Sequence, residues 1–147
     1  MQPKIMILVI VGIVIGLFSF WFYTRHPLSG TVKINGTLFT VDVAVTAIEK
    51  EKGLGYRKTL EPKHGMIFVY DHKEIYPFWM KGMNFPLDFI WLDGNKIVDI
   101  TKNVQPANGF NMQVVKPMLP VDKILEINAG EVEEYGIKIG DTVLYNK

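Results

Sequence analysis

The chain after residue 30 is dominated by short runs in which apolar and polar side chains alternate, and each run ends at turn-forming residues. Within Phe39–Val43 the alternation has a period of two, which is typical of a strand with one buried face. Asn35-Gly36 lies just before this run, and both positions tolerate positive φ. The pair therefore predicts the two-residue turn of a hairpin between Val32–Ile34 and Leu38–Val45.

Similar patterns predict further strands along the rest of the chain. These strands are Gly65–Tyr70, Ile75–Met80, Pro86–Leu92, Lys96–Val104, Ile124–Ala129 and Thr142–Tyr145. The turn residues Asp93-Gly94-Asn95 join two of them as a second hairpin. Prolines interrupt the stretch from Gln105 to Pro120, which predicts a long loop, a kind of segment that is often functional.

One short helix is predicted after the first hairpin. Thr46 and Glu49 have the spacing of a capping box, and Gly53 and Gly55 limit how far the helix extends. Many short strands and one helix in under 120 residues predict a mainly β domain. We expect a compact antiparallel sandwich or barrel, jelly-roll-like in arrangement.

The N-terminus differs from the rest of the chain because it carries no charge from Ile5 to Tyr23. This length is close to the about 20 apolar residues that a helix needs to cross a bilayer. Trp21 and Tyr23 lie at the end of the run, where aromatic rings favour the headgroup layer. No small-x-small cleavage site follows, so an uncleaved transmembrane signal anchor is favoured over a secretory signal or a buried core helix.

The predicted organisation is an N-tail (1–4), a membrane anchor (5–23), a linker (24–30) and a single β domain (31–147). A short N-tail before one span favours a domain outside the cytoplasm, anchored in the cell envelope, although the positive-inside bias is weak. The absence of cysteine is compatible with export. Lys4 and Arg25 precede the domain, which leaves 14 basic against 15 acidic residues, a net charge of −1. We therefore expect no nucleic-acid partner.

The segment from Phe78 to Ile100 places one acidic residue, Asp88, among large apolar side chains. Burying an unpaired carboxylate costs several kcal/mol, so a partner is expected. Arg57 is the only arginine of the β domain, and Glu126 also lies inside an apolar run. The favoured interpretation is a buried ion pair or network of these three residues, with Asp88 as the preferred partner of Arg57.

A binding site is the alternative interpretation of the same residues. Arg57, Asp88 and Glu126 would then form a charged pocket floor. In that hypothesis Trp79 and Met80 supply an apolar wall, and Lys81 contacts an anion.

Other chemistry is less well supported by the sequence. His64, Asp71, His72 and Glu74 form no compact metal-binding motif, so no metal or other cofactor is expected. The chain has no cysteine and no serine after Ser29, which excludes serine and cysteine triads from the domain. Acid–base catalysis by Asp88 or Glu126 stays open. The acidic run of Glu131, Glu133 and Glu134 is interpreted as a solvated face.

Several short motifs occur in one order along the domain. They are Gly53-Leu54-Gly55-Tyr56-Arg57, Gly65–Val69, Phe78-Trp79-Met80-Lys81, Pro86-Leu87-Asp88, Leu125-Glu126 and Gly140-Asp141. In this order and spacing they resemble the domain-of-unknown-function 192 (DUF192) family of small, often exported, mainly β domains. The resemblance covers Val32 to Tyr145 and implies the fold and export, but no activity.

Two positions depart from the pattern of that family. Gly55 stands where the family motif has methionine, and Gly82-Met83 replace an asparagine-threonine pair. The missing amide and hydroxyl argue against a polar ligand bound by those side chains.

Two functions follow as hypotheses. The first is a membrane-tethered extracytoplasmic module that binds a small molecule, a glycan or an envelope protein. The second is a small hydrolase or lyase that uses Asp88 or Glu126 as its acid–base group. The first is favoured, because no nucleophile or metal set accompanies the carboxylates.

Overall fold

A computed structural model describes residues 12–15, 28–107 and 113–147. Its strands are β1 (Leu28–Ile34), β2 (Thr37–Ala44), β3 (His64–Glu74), β4 (Phe78–Trp79), β5 (Leu87–Asp93), β6 (Lys96–Val104), β7 (Val114–Val115), β8 (Val121–Asn128) and β9 (Val143–Asn146). Its two short helices within the domain are α1 (Ala47–Lys52) and α2 (Glu131–Glu134). The mainly β prediction is confirmed.

Seven strands form one curled sheet in the order β6-β5-β8-β3-β2-β1-β9, and β4 pairs with β7 as a separate ribbon. The two edge strands approach each other at one end, where Lys96 and Thr142 form an isolated bridge. The sheet is therefore a half-barrel. One pairing differs from the expected all-antiparallel arrangement, because β2 and β3 run parallel. The helix α1 and the chain after it connect the end of β2 to the start of β3, which lies beside the first half of β2, as a parallel connection requires.

The local predictions for the first hairpin and helix are confirmed. Asn35 and Gly36 both have positive φ (48° and 84°) between β1 and β2. The Thr46 side chain accepts a hydrogen bond from the Glu49 amide, and the Glu49 carboxylate accepts one from the Thr46 amide. These signals depend only on neighbouring residues, so the sequence was sufficient to find them.

Both faces of the sheet are apolar, and they form two separate core clusters. On β3, Ile67 faces the first cluster, while Met66 and Phe68 face the second. Strand alternation accounts for this division, since successive side chains point to opposite faces. The β4–β7 ribbon covers the second face, with the Phe78 ring packed edge-on against Phe68 (centroids 4.9 Å apart).

Three predicted elements differ in the structure. The predicted strand Ile75–Met80 is reduced to Phe78–Trp79, and the predicted loop after Gln105 contains β7. A second short helix, α2, lies where an acidic solvated face was expected, and its Glu131 is buried. The cause is a hydrogen bond that the Glu131 carboxylate accepts from the Lys63 amide 2.7 Å away, a long-range contact with no local sequence signal.

The predicted anchor lies largely outside the described residues. Residues 12–15 are helical, and the rest of 5–23, together with the N-tail 1–4, is not described. In the parts of the chain that are described, no helix has the length and apolar character to cross a membrane. The predicted linker ends earlier than expected, because β1 begins at Leu28.

Candidate functional site

Asp88 is fully buried and stabilises the fold through its backbone contacts. Its carboxylate accepts hydrogen bonds from the amides of Asn103 (2.7 Å), Gly130 (2.9 Å) and Val132 (3.1 Å). The last two amides belong to the first turn of α2, where backbone N–H groups lack partners within the helix. Asp88 thus connects β5, the end of β6 and α2.

The expected pair of Arg57 with Asp88 or Glu126 is not formed. The Arg57 guanidinium instead lies 2.5 Å from the Asp42 carboxylate of β2. Both side chains are partly exposed, so this pair stabilises the fold only modestly. The apolar neighbours of Asp88 in the sequence indicate that its carboxylate needs a hydrogen-bonding or charged partner. They do not show that backbone amides provide this partner, and the prediction failed for that reason.

Glu126 is the buried acid of the domain that faces a cleft. Alternation along β8 directs it to the second face of the sheet, where Met66 and Phe89 lie opposite it on the neighbouring strands. The residue is 5% exposed, and among the described residues no hydrogen bond to its carboxyl group is found. Burial raises the pKa of Glu126 to about 8, against a smaller opposing effect of the Arg57 charge. The group is therefore mainly protonated at pH 7.

A cavity of about 80 Å³ lies above Glu126. Its walls come from the turn after α1, from Phe68 and Tyr70 of β3, and from Trp79 and Lys81 around β4. A wider groove of about 240 Å³ lies next to this cavity, and Trp79 and Lys81 line both. Ile48 and Tyr56 line the groove but not the cavity. We call the inner cavity and this outer groove together the Glu126 cleft.

Trp79 forms an open aromatic wall of the Glu126 cleft. Its side chain is 49% exposed, while its neighbours in sequence, Phe78 and Met80, are buried in the core. Strand alternation in β4 explains the difference, and Val114, the cross-strand partner of Trp79, is exposed on the same face. An exposed indole beside a cavity offers a flat surface against which a ring can stack.

Close backbone approach holds the chain after β4 against the turn that follows α1. The Tyr56 amide donates a hydrogen bond to the Gly82 carbonyl (2.7 Å). Gly82 has φ +70°, and a Cβ there would lie 3.0 Å from the Tyr56 ring. Gly55 is equally close, since its Cβ would lie 2.9 Å from the Lys52 carbonyl oxygen. These contacts fix Lys81 at the boundary between cavity and groove.

Tyr70 and Lys50 form the side of the inner cavity. The Lys50 Nζ lies 3.9 Å from the centroid of the Tyr70 ring, within the range of a cation–π contact. Burial lowers the pKa of Lys50, with Asp71 acting in the opposite direction. Burial, followed by the nearby Tyr76 and Glu126, raises the pKa of Tyr70 to about 12.

The structure thus brings together three of the six residues singled out from the sequence: Trp79, Lys81 and Glu126. Met80 lies in the core, Arg57 lines a different cavity, and Asp88 is enclosed by its amide donors. Sequence reasoning missed the contributions of Tyr70 and of the α1 lysines. Tyr70 is two residues after Phe68, so strand alternation could have placed it on the same face of the sheet. No pattern in the sequence indicated that α1 packs over β3.

Within residues 12–15, 28–107 and 113–147, no group of three or more histidine, aspartate or glutamate side chains is placed to hold a metal ion. The Oε2 atom of Glu131 is buried without a hydrogen-bond partner in this part of the chain. Burial raises the pKa of Glu131, and the Lys63 amide partly offsets that effect.

Comparison with known proteins identifies a sequence family and solved structures with similar folds. The sequence matches the DUF192 family, described as "Uncharacterized ACR", over residues 30–145. A protein described as a candidate transcription regulator from Sinorhizobium meliloti 1021 has a similar structure (TM-score 0.74, 30% identity), which covers 81% of this chain and 95% of that one. A protein of unknown function from Novosphingobium aromaticivorans DSM 12444 is also similar (TM-score 0.75, 30% identity), covering 82% and 87%. No curated protein matches the sequence.

Proposed function

The chain belongs to the DUF192 family, as its motifs predicted, and from this premise we propose that it is a binding module that takes a small molecule into the Glu126 cleft. One observation carries the proposal. The Glu126 carboxyl group is desolvated at the base of an open cleft and has no hydrogen-bond partner among the described residues. The carboxyl oxygens are accessible from the cleft, so a bound ligand can supply a hydrogen-bond partner there.

The dimensions of the cleft support a ligand of modest size. Pockets that enclose drug-sized ligands have volumes of about 300–1,000 Å³. The inner cavity of about 80 Å³ accommodates only one functional group. The rest of the ligand would lie in the outer groove, beside Trp79 and Tyr56.

The module is also proposed to be tethered to a membrane through residues 5–23, with the domain outside the cytoplasm. The uncharged apolar run and the aromatic residues at its end support this placement. A role in transcription, named for one similar structure, is not proposed, because the domain has a net charge of −1 and no basic stripe. A glycan and an envelope protein are the alternative partners of the same module.

Ligand screening by NMR tests the binding function. The full-length chain in a zwitterionic detergent would be titrated with a library of small acids, amines and sugars while amide shifts are followed. We expect hits to shift amides at Tyr70, Trp79 and Glu126, and Trp79→Ala to weaken binding at least ten-fold. Leu144→Ala, an exposed apolar residue on β9, is the matched control and should bind normally. Shifts confined to other surfaces, or equal binding by both variants, would contradict the proposal.

Acid–base catalysis by Glu126 is the second candidate function, for a small hydrolase or lyase. Burial raises the pKa of Glu126 to about 8, and a general acid or base is most effective when its pKa lies near the working pH. Asp88 is no longer a candidate, because its carboxylate accepts three backbone hydrogen bonds away from the cleft. Turnover of a bound compound that is lost in Glu126→Gln, with binding retained, would favour the enzyme.

A further inference from the structure

We propose that the Glu126 cleft selects small anions: ring-shaped molecules that carry a carboxylate or phosphate group. This inference rests on the proposed binding function and specifies its ligand class. It is carried by the lysines around the cleft, by the state of the acidic groups that face them, and by the shape of the Trp79 wall.

Three lysines from two elements line the cleft. Lys50 and Lys52 come from the last turn of α1, and Lys81 follows β4. Within the described residues, none of the three forms a salt bridge with a carboxylate. Three other lysines of the described residues do form them: Lys73 with Asp93, Lys102 with Glu133 and Lys123 with Asp122. The cleft therefore brings three lysines that form no salt bridge with the described residues together on a domain with a net negative charge.

Among the charged groups that line the cleft, lysines outnumber carboxylates. Glu51 lines both parts of the cleft and contributes one negative charge. The Glu49 carboxylate accepts hydrogen bonds from the Val45 and Thr46 amides in the capping box and does not line the cleft, but its negative charge acts on Lys50 and raises the pKa of that lysine. Asp71 lies near Lys50 and raises the pKa of that lysine, against the larger effect of burial.

Glu126 itself favours an anion as long as it is protonated. A protonated carboxyl group can donate a hydrogen bond to a ligand oxygen, whereas a carboxylate can only accept. Its raised pKa keeps the proton in place at pH 7. A cationic ligand would instead meet three ammonium groups of the same sign, which disfavours amines.

Trp79 defines the shape of the ligand. The indole stands half exposed between the inner cavity and the outer groove, opposite the lysine side chains of α1. A ring lying against it would place an attached anionic group at the lysines. Lysine binds carboxylate and phosphate as a point charge without fixed bidentate geometry, so both groups fit the same site.

The test compares probes that share a phenyl ring and differ in the group attached to it, which is either anionic or neutral. Binding of benzoate, benzamide and phenyl phosphate to the full-length chain would be measured by NMR titration at pH 7. We expect benzoate and phenyl phosphate to bind at least ten-fold more tightly than benzamide, with shifts at Tyr70 and Trp79. The tighter of the two anions identifies the preferred group. Acetate, which lacks the ring, should bind more weakly than benzoate.

Lysine variants identify the source of the selectivity. Lys52→Gln and Lys81→Gln should each reduce benzoate affinity about three- to ten-fold, a larger loss than either causes for benzamide. Lys102→Gln, which removes a lysine paired with Glu133, is the matched control and should have no effect. Added salt should weaken benzoate binding in the wild type by screening the charges.

The outcomes separate the two proposals. Equal binding of benzoate and benzamide in the cleft would overturn the ligand class while the binding function stands. If neither these probes nor the neutral and basic library compounds shift the cleft amides, both proposals fail. Tight benzoate binding that persists in both lysine variants would overturn the assignment of the anion site.

Discussion

At the scale of single residues, the two buried acids of the sheet have opposite roles. Asp88 lies on the face of β5 that is directed towards the first core cluster. Its carboxylate accepts hydrogen bonds from three backbone amides. Glu126 faces the second side of β8, where burial raises its pKa and leaves it beside a cleft. The sequence pattern was the same for both, an acid within an apolar run. Only the face to which each one points, and the backbone that meets it there, distinguishes a structural acid from a candidate functional one.

Replacing Asp88 tests its structural role. Asp88→Leu leaves one buried and two partly buried backbone amides without an acceptor, so we expect the free energy of unfolding to fall by at least about 3 kcal/mol. Urea unfolding monitored by circular dichroism measures the change. Asp93→Leu, which removes an exposed partner of Lys73, should cost less than about 1 kcal/mol.

The double variant Arg57→Met/Asp88→Leu distinguishes this arrangement from the ion pair that the sequence predicted. Arg57 pairs with Asp42 and has no contact with the amides that Asp88 binds. The two effects should therefore add, within about 0.5 kcal/mol. Recovery of stability in the double variant would instead support an Arg57–Asp88 pair.

Protonation of Glu126 makes stability depend on pH. Burial raises its pKa from 4.5 to about 8, so between these values the folded protein binds a proton that the unfolded chain has released. The contribution is fully present below pH 4.5 and is lost as the pH rises towards 8, by about 1.4 kcal/mol per pH unit. Glu126→Gln cannot ionise, so its stability relative to the wild type should rise between pH 5 and 8.

Urea unfolding at pH 5, 6, 7 and 8 checks this expectation. Burial also raises the pKa of Glu131, but that group is present in both proteins and its effect cancels in the difference. Glu133→Gln, a change at an exposed residue, provides the matched control and should leave the pH profile almost unchanged. A constant difference between wild type and Glu126→Gln across this range would show that Glu126 ionises normally.

At the scale of the elements, the sequence predicted what local contacts determine. The Asn35-Gly36 turn and the Thr46 capping box are present because each depends on residues within a few positions. The parallel pairing of β2 with β3 was not predicted, since it depends on the path of the chain around α1. The helix α2 was missed for a similar reason, because its first amides bind Asp88, more than 40 residues earlier in the chain.

Gly65 shows how closely two strands of the sheet approach. A Cβ at this position would lie well inside the van der Waals contact distance of the Glu126 carbonyl oxygen on β8, which is backbone and cannot rotate away. Gly65→Ala should therefore separate β3 from β8 and cost about 3 kcal/mol or more in urea unfolding. Gly94→Ala is the control, because its Cβ meets no atom within 4 Å and only its φ of +62° is strained. A similar loss of about 1–2 kcal/mol in both variants would mean that the strands can yield.

At the scale of the whole molecule, the two faces of the curled sheet are covered to different extents. Its first face closes around a continuous apolar core, and its second face is covered only in part by the β4–β7 ribbon and α1. The Glu126 cleft lies where that cover is incomplete. The mainly β class followed from alternation along the chain, but the position of the cleft did not, because it depends on how β4 and α1 pack over β3 and β8.

The proposed membrane anchor gives the last prediction. If residues 5–23 span the bilayer, the full-length protein should stay in the membrane fraction after alkaline carbonate washing, because the apolar run favours the hydrocarbon core. A variant that lacks residues 1–27 should appear in the soluble fraction, which makes it the matched control. Protease added to intact spheroplasts should digest the domain if it lies outside the cytoplasm. Digestion only after lysis would reverse the orientation, and full-length protein in the soluble fraction would contradict the anchor itself.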